Sequence, residues 1–168
     1  VVLNDHYDGG WVEKSFGDIS DAAITKNSAT MKLIWTQIAN EFKDYDEHLL
    51  FAGLNEPDVS NQKQTDALLK YEQAFVDAVR ATGGNNETRT LIVQGPSTDI
   101  DKTVNYFSAM PTDAVANRLM VEVHYYSPSQ FTGVWENGKP YYFWGATNHV
   151  PSGSYKNYNA TWGEESYL

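Results

Sequence analysis

The chain of 168 residues contains no cysteine, which excludes disulfide bonds and thiol catalysis but leaves its compartment open. No apolar run approaches the ~20 residues that cross a bilayer as a helix, so a membrane-spanning helix is excluded. Positive charge is scarce. Twelve Lys and Arg against 22 Asp and Glu give a formal net charge of -10, a field that repels a phosphate backbone, and no basic cluster offsets it locally, so nucleic acid is not an expected partner. No G-x-G-x-x-G and no P-loop opens a helix, which removes the usual signature of a nucleotide site. A G-x-S-x-G elbow is absent, against a serine hydrolase. The start, Val1-Val2-Leu3, has neither initiator Met nor a signal-like segment; the chain is expected to be cut from a longer protein.

What the sequence does have is aromatic side chains, with five Trp and eleven Tyr. These exceed what a small core needs, so some rings are expected to form a surface for an uncharged ligand such as a sugar. It also has a regular alternation. Val1 to Asn4 reads as a buried strand stopped by Asp8-Gly9-Gly10. From Ser28 to Phe42, Met31, Ile34, Trp35, Ile38, Ala39 and Phe42 fall at helical spacing, placing Trp35 on a buried stripe. Leu49 to Gly53 is the next strand. Thr65 to Ala81 is a second helix with Leu68, Tyr71, Phe75, Val76 and Val79 on one face, ended by Gly83-Gly84. Leu91 to Val93 is a strand, Pro96 to Asp99 a loop, Asp101 to Ala109 a short helix and Leu119 to His124 a fourth strand. Ser127 to Leu168 reads as a long loop region rich in aromatic and turn residues.

Four strands alternating with three helices argue for right-handed βαβ units on a parallel sheet, an α/β fold that is either an open doubly wound sheet or a closed barrel. Without a nucleotide signature the barrel is favoured. In a barrel, catalytic groups and long loops sit at the carboxyl ends of the strands. Asn55-Glu56-Pro57 follows the second strand at once, so Glu56 is expected to stand on that rim. His6 follows the first strand, His124 ends the fourth and Tyr126 lies two residues on, which puts all four on the same rim. Taken singly, a Glu beside a turn Pro is an ordinary surface residue and a strand-end His an ordinary hydrogen-bonder. Their convergence favours chemistry. His6 and His124 with Asp8 or Glu122 could be drawn as metal ligands, but no H-x-H or H-E-x-x-H pair supports this and no metal or other cofactor is expected.

Leu3-Asn4-Asp5-His6-Tyr7-Asp8-Gly9-Gly10-Trp11, Leu49 through Pro57, and Val121-Glu122-Val123-His124-Tyr125-Tyr126-Ser127-Pro128 together resemble strands three, four and six of glycoside hydrolase family 5, most closely its endoglucanases from gut bacteria and anaerobic fungi. The resemblance implies a partial (β/α)8 TIM barrel with parallel strands and outer helices, residues 1–168 being the central part of a single catalytic domain. It implies a secreted, retaining endo-β-1,4-glucanase, monomeric as a whole enzyme, with a β-glucan polysaccharide as its substrate. Glu56 would be the general acid/base, and Asn55 would hydrogen-bond the sugar 2-hydroxyl. His124 and Tyr126 would brace the carboxylates, while His6 and Trp11 would contact sugar. Tyr7 stands where the family often has a second His or Trp. The family's strand-two Arg, its strand-eight Trp and its strand-seven nucleophilic Glu have no counterpart here; Glu164 and Glu165 resemble the start of a helix instead.

A retaining glycosidase needs two carboxyl groups about 5–5.5 Å apart, one protonated and one ionised. This chain would supply one, so by itself it is expected to be inactive and to leave two sheet edges open, with a tendency to aggregate. Xyloglucan, mannan, lichenan and xylan are alternative substrates within the family, and a non-catalytic carbohydrate-binding barrel is an alternative outside catalysis. Trp135 and Trp144, in loops, are candidates to stack on glucose rings or to pack those loops. Asn86-Glu87-Thr88 and Asn159-Ala160-Thr161 are sequons that would matter only in a eukaryotic secretory route.

Overall fold

A computed structural model of the chain describes residues 1–126, 132–133 and 141–160. These fall into two units, Val1–His124 and Tyr125–Leu168. The first carries β1 (Val2–Asn4), α1 (Asp21–Glu41), β2 (Leu50–Ala52), α2 (Gln62–Arg80), β3 (Leu91–Gln94), α3 (Ile100–Tyr106) and β4 (Leu119–Glu122). The strands form one sheet in the order β1-β2-β3-β4, and every pairing is parallel. A sequential parallel sheet with helical crossovers is a run of βαβ units, as the alternation predicts.

Side chains alternate across the sheet. Leu3, Phe51, Leu91 and Leu119 are register partners, and all join the apolar cluster beneath the helices. Trp35 of α1 is fully buried; its ring lies 5.5 Å from Phe51 and 4.6 Å from Phe75 of α2. Its indole Nε1 donates to the Gly53 carbonyl at 3.0 Å, so the largest core side chain leaves no polar atom unpaired. α2 must approach closely here. A Cβ on Gly53 would stand 2.8 Å from Glu72 Oε2 and 2.9 Å from Phe75, so only glycine fits beneath the helix.

α1 begins seven residues before the expected Ser28. Ser20 caps it by accepting from the Ala23 amide at 3.3 Å, and the first two turns bury little, so no apolar stripe marks them. α2 likewise starts at Gln62 because the Asn61 side chain accepts from the Gln64 amide at 3.1 Å. Arg89 ties the amino-terminal end of β2 in place. Only 2% exposed, it donates to the carbonyls of Phe42, Tyr45, Asp46 and Leu49 and to the Asn86 side chain. Asn86 itself is buried and bonded to the Ala39 carbonyl, which leaves that sequon closed to a glycan.

β1 and β4 each have one hydrogen-bonded neighbour among the described residues, and Val2 and Met120 are about half exposed on them. In the second unit the described residues form short 3₁₀ turns at Ala146–Asn148 and Ser154–Tyr158 and a bridge between Phe143 and Asn159. This is the irregular structure expected after Ser127. Among the described residues no helix is long and apolar enough to cross a membrane.

Candidate active site

Beyond β2 the chain leaves the sheet gradually. The Gly53 amide still donates to Ile92 O at 2.9 Å, and the Leu54 amide donates to the Gln94 side-chain oxygen at 2.7 Å. Asn55, half-buried, and Glu56, exposed, follow at the carboxyl end of the strand. The turn carrying them is held from two sides. On one, the Glu56 amide donates to the Glu13 carboxylate and the Asp58 amide to the Glu13 carbonyl. On the other, Pro57 O accepts from the Ser97 amide at 2.9 Å, and Ser97 Oγ bonds both the amide and the carbonyl of Val59.

Ser97 and Thr98, directly after β3, have φ of 53° and 48°. Left-handed backbone is unfavourable for residues with a Cβ, and such conformations persist where the surroundings over-determine them, often at functional sites. Here the contorted turn delivers Ser97 to the Glu56 loop and the Thr98 carbonyl to the His124 amide, 2.6 Å away.

His124 stands two residues beyond β4 and joins Glu56 directly. Its Nδ1 lies 2.6 Å from Glu56 Oε1, and its Nε2 lies 3.2 Å from Glu122 Oε1. Burial alone would lower the imidazole's pKa, but the hydrogen bonds to Glu56 and Glu122 outweigh it and hold the group above its ordinary value. Glu122 is shared further. Its Oε2 accepts from Gln94 Nε2 at 2.7 Å across the β3–β4 register pair Gln94 and Glu122. Below them, Glu72 of α2 accepts from the Gln94 amide at 2.9 Å. Burial pushes the Glu72 carboxyl up to about 8 against the lowering effect of that amide, and the Glu122 charge adds to the rise.

The structure thus brings together Glu56 and His124 and places Asn55 beside them in the chain. His6 is exposed just past β1; its charge and those of Asp5 and Glu56 act on Glu13, whose carboxyl is raised chiefly by burial. Trp11 is half-buried and donates from Nε1 to Asp5 at 3.3 Å. Tyr126 and Trp144 belong to the second unit, where the Tyr126 carbonyl accepts from Thr132 and the Trp144 carbonyl from Asn148. Trp135, Glu164 and Glu165 lie outside the described residues. Sequence reasoning missed Gln94, Glu13, Glu72 and Ser97 as site residues and met Glu122 only as a possible ligand. A polar residue closing each of the apolar strands Leu91–Gln94 and Leu119–Glu122 was the available signal.

Asp46, Glu47 and His48 lie close enough together to hold an ion, but they are exposed at the other end of β2. Asp46 Oδ1 is already engaged by the His48 amide and ring, each at 3.1 Å.

Four parallel strands in sequential order joined by helices, and a carboxyl–imidazole pair at the strands' carboxyl ends, have the layout of half a (β/α)8 barrel. The profile of the cellulase family, glycosyl hydrolase family 5, matches residues 1–166. The chain is 38% identical to endoglucanase A of Paenibacillus barcinonensis, covering 100% of this chain and 44% of that enzyme. It is 42% identical to a xyloglucan-specific endo-β-1,4-glucanase of Bacteroides ovatus over 79% of this chain and 27% of that one. The crystal structure of XEG5B, a xyloglucan-specific β-1,4-glucanase from a ruminal metagenomic library in complex with XXLG, superposes with a TM-score of 0.81 at 52% identity, covering 99% of this chain and 46% of that one. The chain therefore spans less than half the length of these relatives. With matches running along nearly all of its own length, it belongs to glycosyl hydrolase family 5 and carries part of that family's (β/α)8 barrel.

Proposed function

We propose that the protein carrying this chain is an endo-acting, retaining β-1,4-glucanase in which Glu56 is the general acid/base and the nucleophilic carboxylate comes from outside these residues. The observation that carries this reading is the 2.6 Å contact between Glu56, beyond the carboxyl end of β2, and His124, beyond that of β4, the two strands flanking β3 in one parallel sheet. A carboxyl group there can hand a proton to the glycosidic oxygen and, after the glycosyl-enzyme forms, take one from water. Asn55, next to it, hydrogen-bonds the reacting sugar in this reading, and His6 and Trp11 serve the flanking subsites. Xyloglucan is the first substrate to try, because two of the similar glucanases are named for it. A polymer of that size is met outside the cell, so we place the enzyme there, as a monomer.

The test uses the full-length enzyme, assayed by reducing-end release from xyloglucan and carboxymethylcellulose. Glu56→Gln is expected to lower turnover about 10²–10⁴-fold on these unactivated substrates while leaving polysaccharide binding in place. Retention of near-wild-type turnover refutes the acid/base role. A wild-type enzyme that binds the polymers without cutting them is a binding module instead.

A further inference from the structure

Beyond Glu56 and His124, the structure contains a polar chain that acid/base catalysis as such does not require: Leu54 amide, Gln94, Glu122, His124. We propose that Gln94 and Glu122 are positioning residues that fix the tautomer of His124, so that its Nδ1 faces Glu56 as the acceptor of the acid's proton. This rests on Glu56 being the acid/base.

The argument starts from an amide with no freedom. Gln94 is fully buried, and its Oε1 accepts the Leu54 amide at 2.7 Å. A backbone N–H can only donate, so the oxygen end of Gln94 must point at Leu54 and the NH₂ end at Glu122, where Nε2 lies 2.7 Å from Oε2. The orientation of the Gln94 amide is thus imposed by the backbone. Glu122 consequently receives a proton donor on Oε2. Its other oxygen faces His124 Nε2 at 3.2 Å, and a carboxylate offers acceptors alone, so Nε2 carries a hydrogen. That leaves Nδ1 as the basic nitrogen of the neutral ring.

Nδ1 is the atom that meets Glu56 Oε1 at 2.6 Å. One proton lies in that contact. With Nε2–H fixed by Glu122, the proton belongs to the Glu56–Nδ1 pair and is the one Glu56 passes to the leaving oxygen. When Glu56 later takes a proton from water, the same pair receives it, and His124 keeps Nε2–H throughout. Were Nδ1 the protonated nitrogen of a neutral ring, it would donate to Glu56 and favour the ionised carboxylate, the wrong form for the first step. Among the described residues, the groups that face this relay include Glu56 and Glu122 on His124, Glu72 and Gln94 on Glu122, and Glu13 with the charges of Asp5 and His6 behind Glu56. Burial and the charges around them act on the relay as a set, but the hydrogen-bond polarity is what assigns the tautomer.

Glu122→Gln tests it with almost no change of shape. The new amide must turn its NH₂ either toward the NH₂ of Gln94, which Leu54 prevents from flipping, or toward His124 Nε2. The second is the tolerable choice, and it strips Nε2 of its hydrogen. Glu122→Asp is shorter but remains a pure acceptor. In the full-length enzyme with ¹⁵N-labelled histidine, the wild type and Glu122→Asp are expected to show Nε2 as the protonated ring nitrogen, and Glu122→Gln to show Nδ1. The alkaline limb of kcat/KM on xyloglucan is expected to move down by about one pH unit in Glu122→Gln alone, with kcat reduced about 10²-fold. With an aryl cellobioside whose good leaving group needs no proton, the first step, read as the burst of aryl release, should slow less than about threefold, because only the water-dependent second step still draws on the relay.

Unchanged ring-nitrogen signals in Glu122→Gln overturn the proposal. So does a pH limb that moves equally in the Gln and Asp variants, the mark of a packing effect. If the wild-type enzyme cuts no β-glucan, the glucanase reading fails on its own, and the ring-nitrogen signals still decide the tautomer.

Discussion

Glu72→Gln is expected to make the protein more stable at neutral pH. Glu72 is fully buried on α2, one oxygen accepting the Gln94 amide and the other, Oε2, without a partner. Burial pushes its carboxyl from 4.5 to about 8. The folded protein therefore binds a proton at this site that the unfolded chain releases between those values, and the folded state loses stability as pH rises through that window. At 1.36 kcal/mol per unit, the 2.5 units between 4.5 and 7 correspond to about 3 kcal/mol at pH 7, and the penalty levels off near 5 kcal/mol above pH 8. A glutamine has nearly the shape of the protonated acid, can keep the acceptor for Gln94 and does not ionise. The variant should match the wild type below pH 4.5 and exceed it by about 3 kcal/mol at pH 7, which for a domain of 150–250 residues is roughly 6–12 °C in Tm.

The measurement is urea unfolding of the full-length wild type and Glu72→Gln at unit steps from pH 4.5 to 9, followed by tryptophan fluorescence. The difference between the two curves isolates Glu72, because His124 and Glu13 titrate in both proteins. A difference that stays flat across pH 5–8, or a variant less stable than the wild type at pH 7, refutes the reasoning. The first would mean Glu72 is ionised in the native protein, with Oε2 supplied with donors. The second would mean its unpaired oxygen tolerates what an amide NH₂ does not.

Two stability outcomes follow from the same packing. Arg89→Met is expected to lose about 3–5 kcal/mol, read by chemical unfolding, since it strands four carbonyls and the Asn86 side chain that one guanidinium now serves. Gly53→Ala should lose about 1–3 kcal/mol, because its methyl would stand 2.8 Å from Glu72 and 2.9 Å from Phe75. If Gly53→Ala is neutral in the same assay, α2 can retreat from β2 and the close approach is not required.

The elements were legible because they are made of local signals. Leu91–Val93 is a run of β-prone residues, and Leu68, Tyr71 and Phe75 recur at helical spacing, so the strand and the body of α2 are where periodicity puts them. The starts of α1 and α2 were not legible that way, since Ser20 and Asn61 act through a single side-chain oxygen ahead of any apolar stripe. The site divides along the same line. Glu56 and His124 are conspicuous because each is polar and follows a strand, and the parallel order then carries them into contact across 68 positions. Gln94 and Glu122 are just as polar and end their strands too, yet nothing in either segment says they are register partners; that depends on which residue of β3 lies beside which of β4. Glu13 and Glu72 are further from legibility, because a glutamate beside a lysine or on a helix reads as solvated, and only the packing of α2 against Gly53, and of the Glu56 turn over Glu13, takes them out of water. The residues that shape a proton's path are therefore the ones whose partners are set by register and packing, and they are found by asking of each polar atom in the sheet which way its hydrogen bond must run.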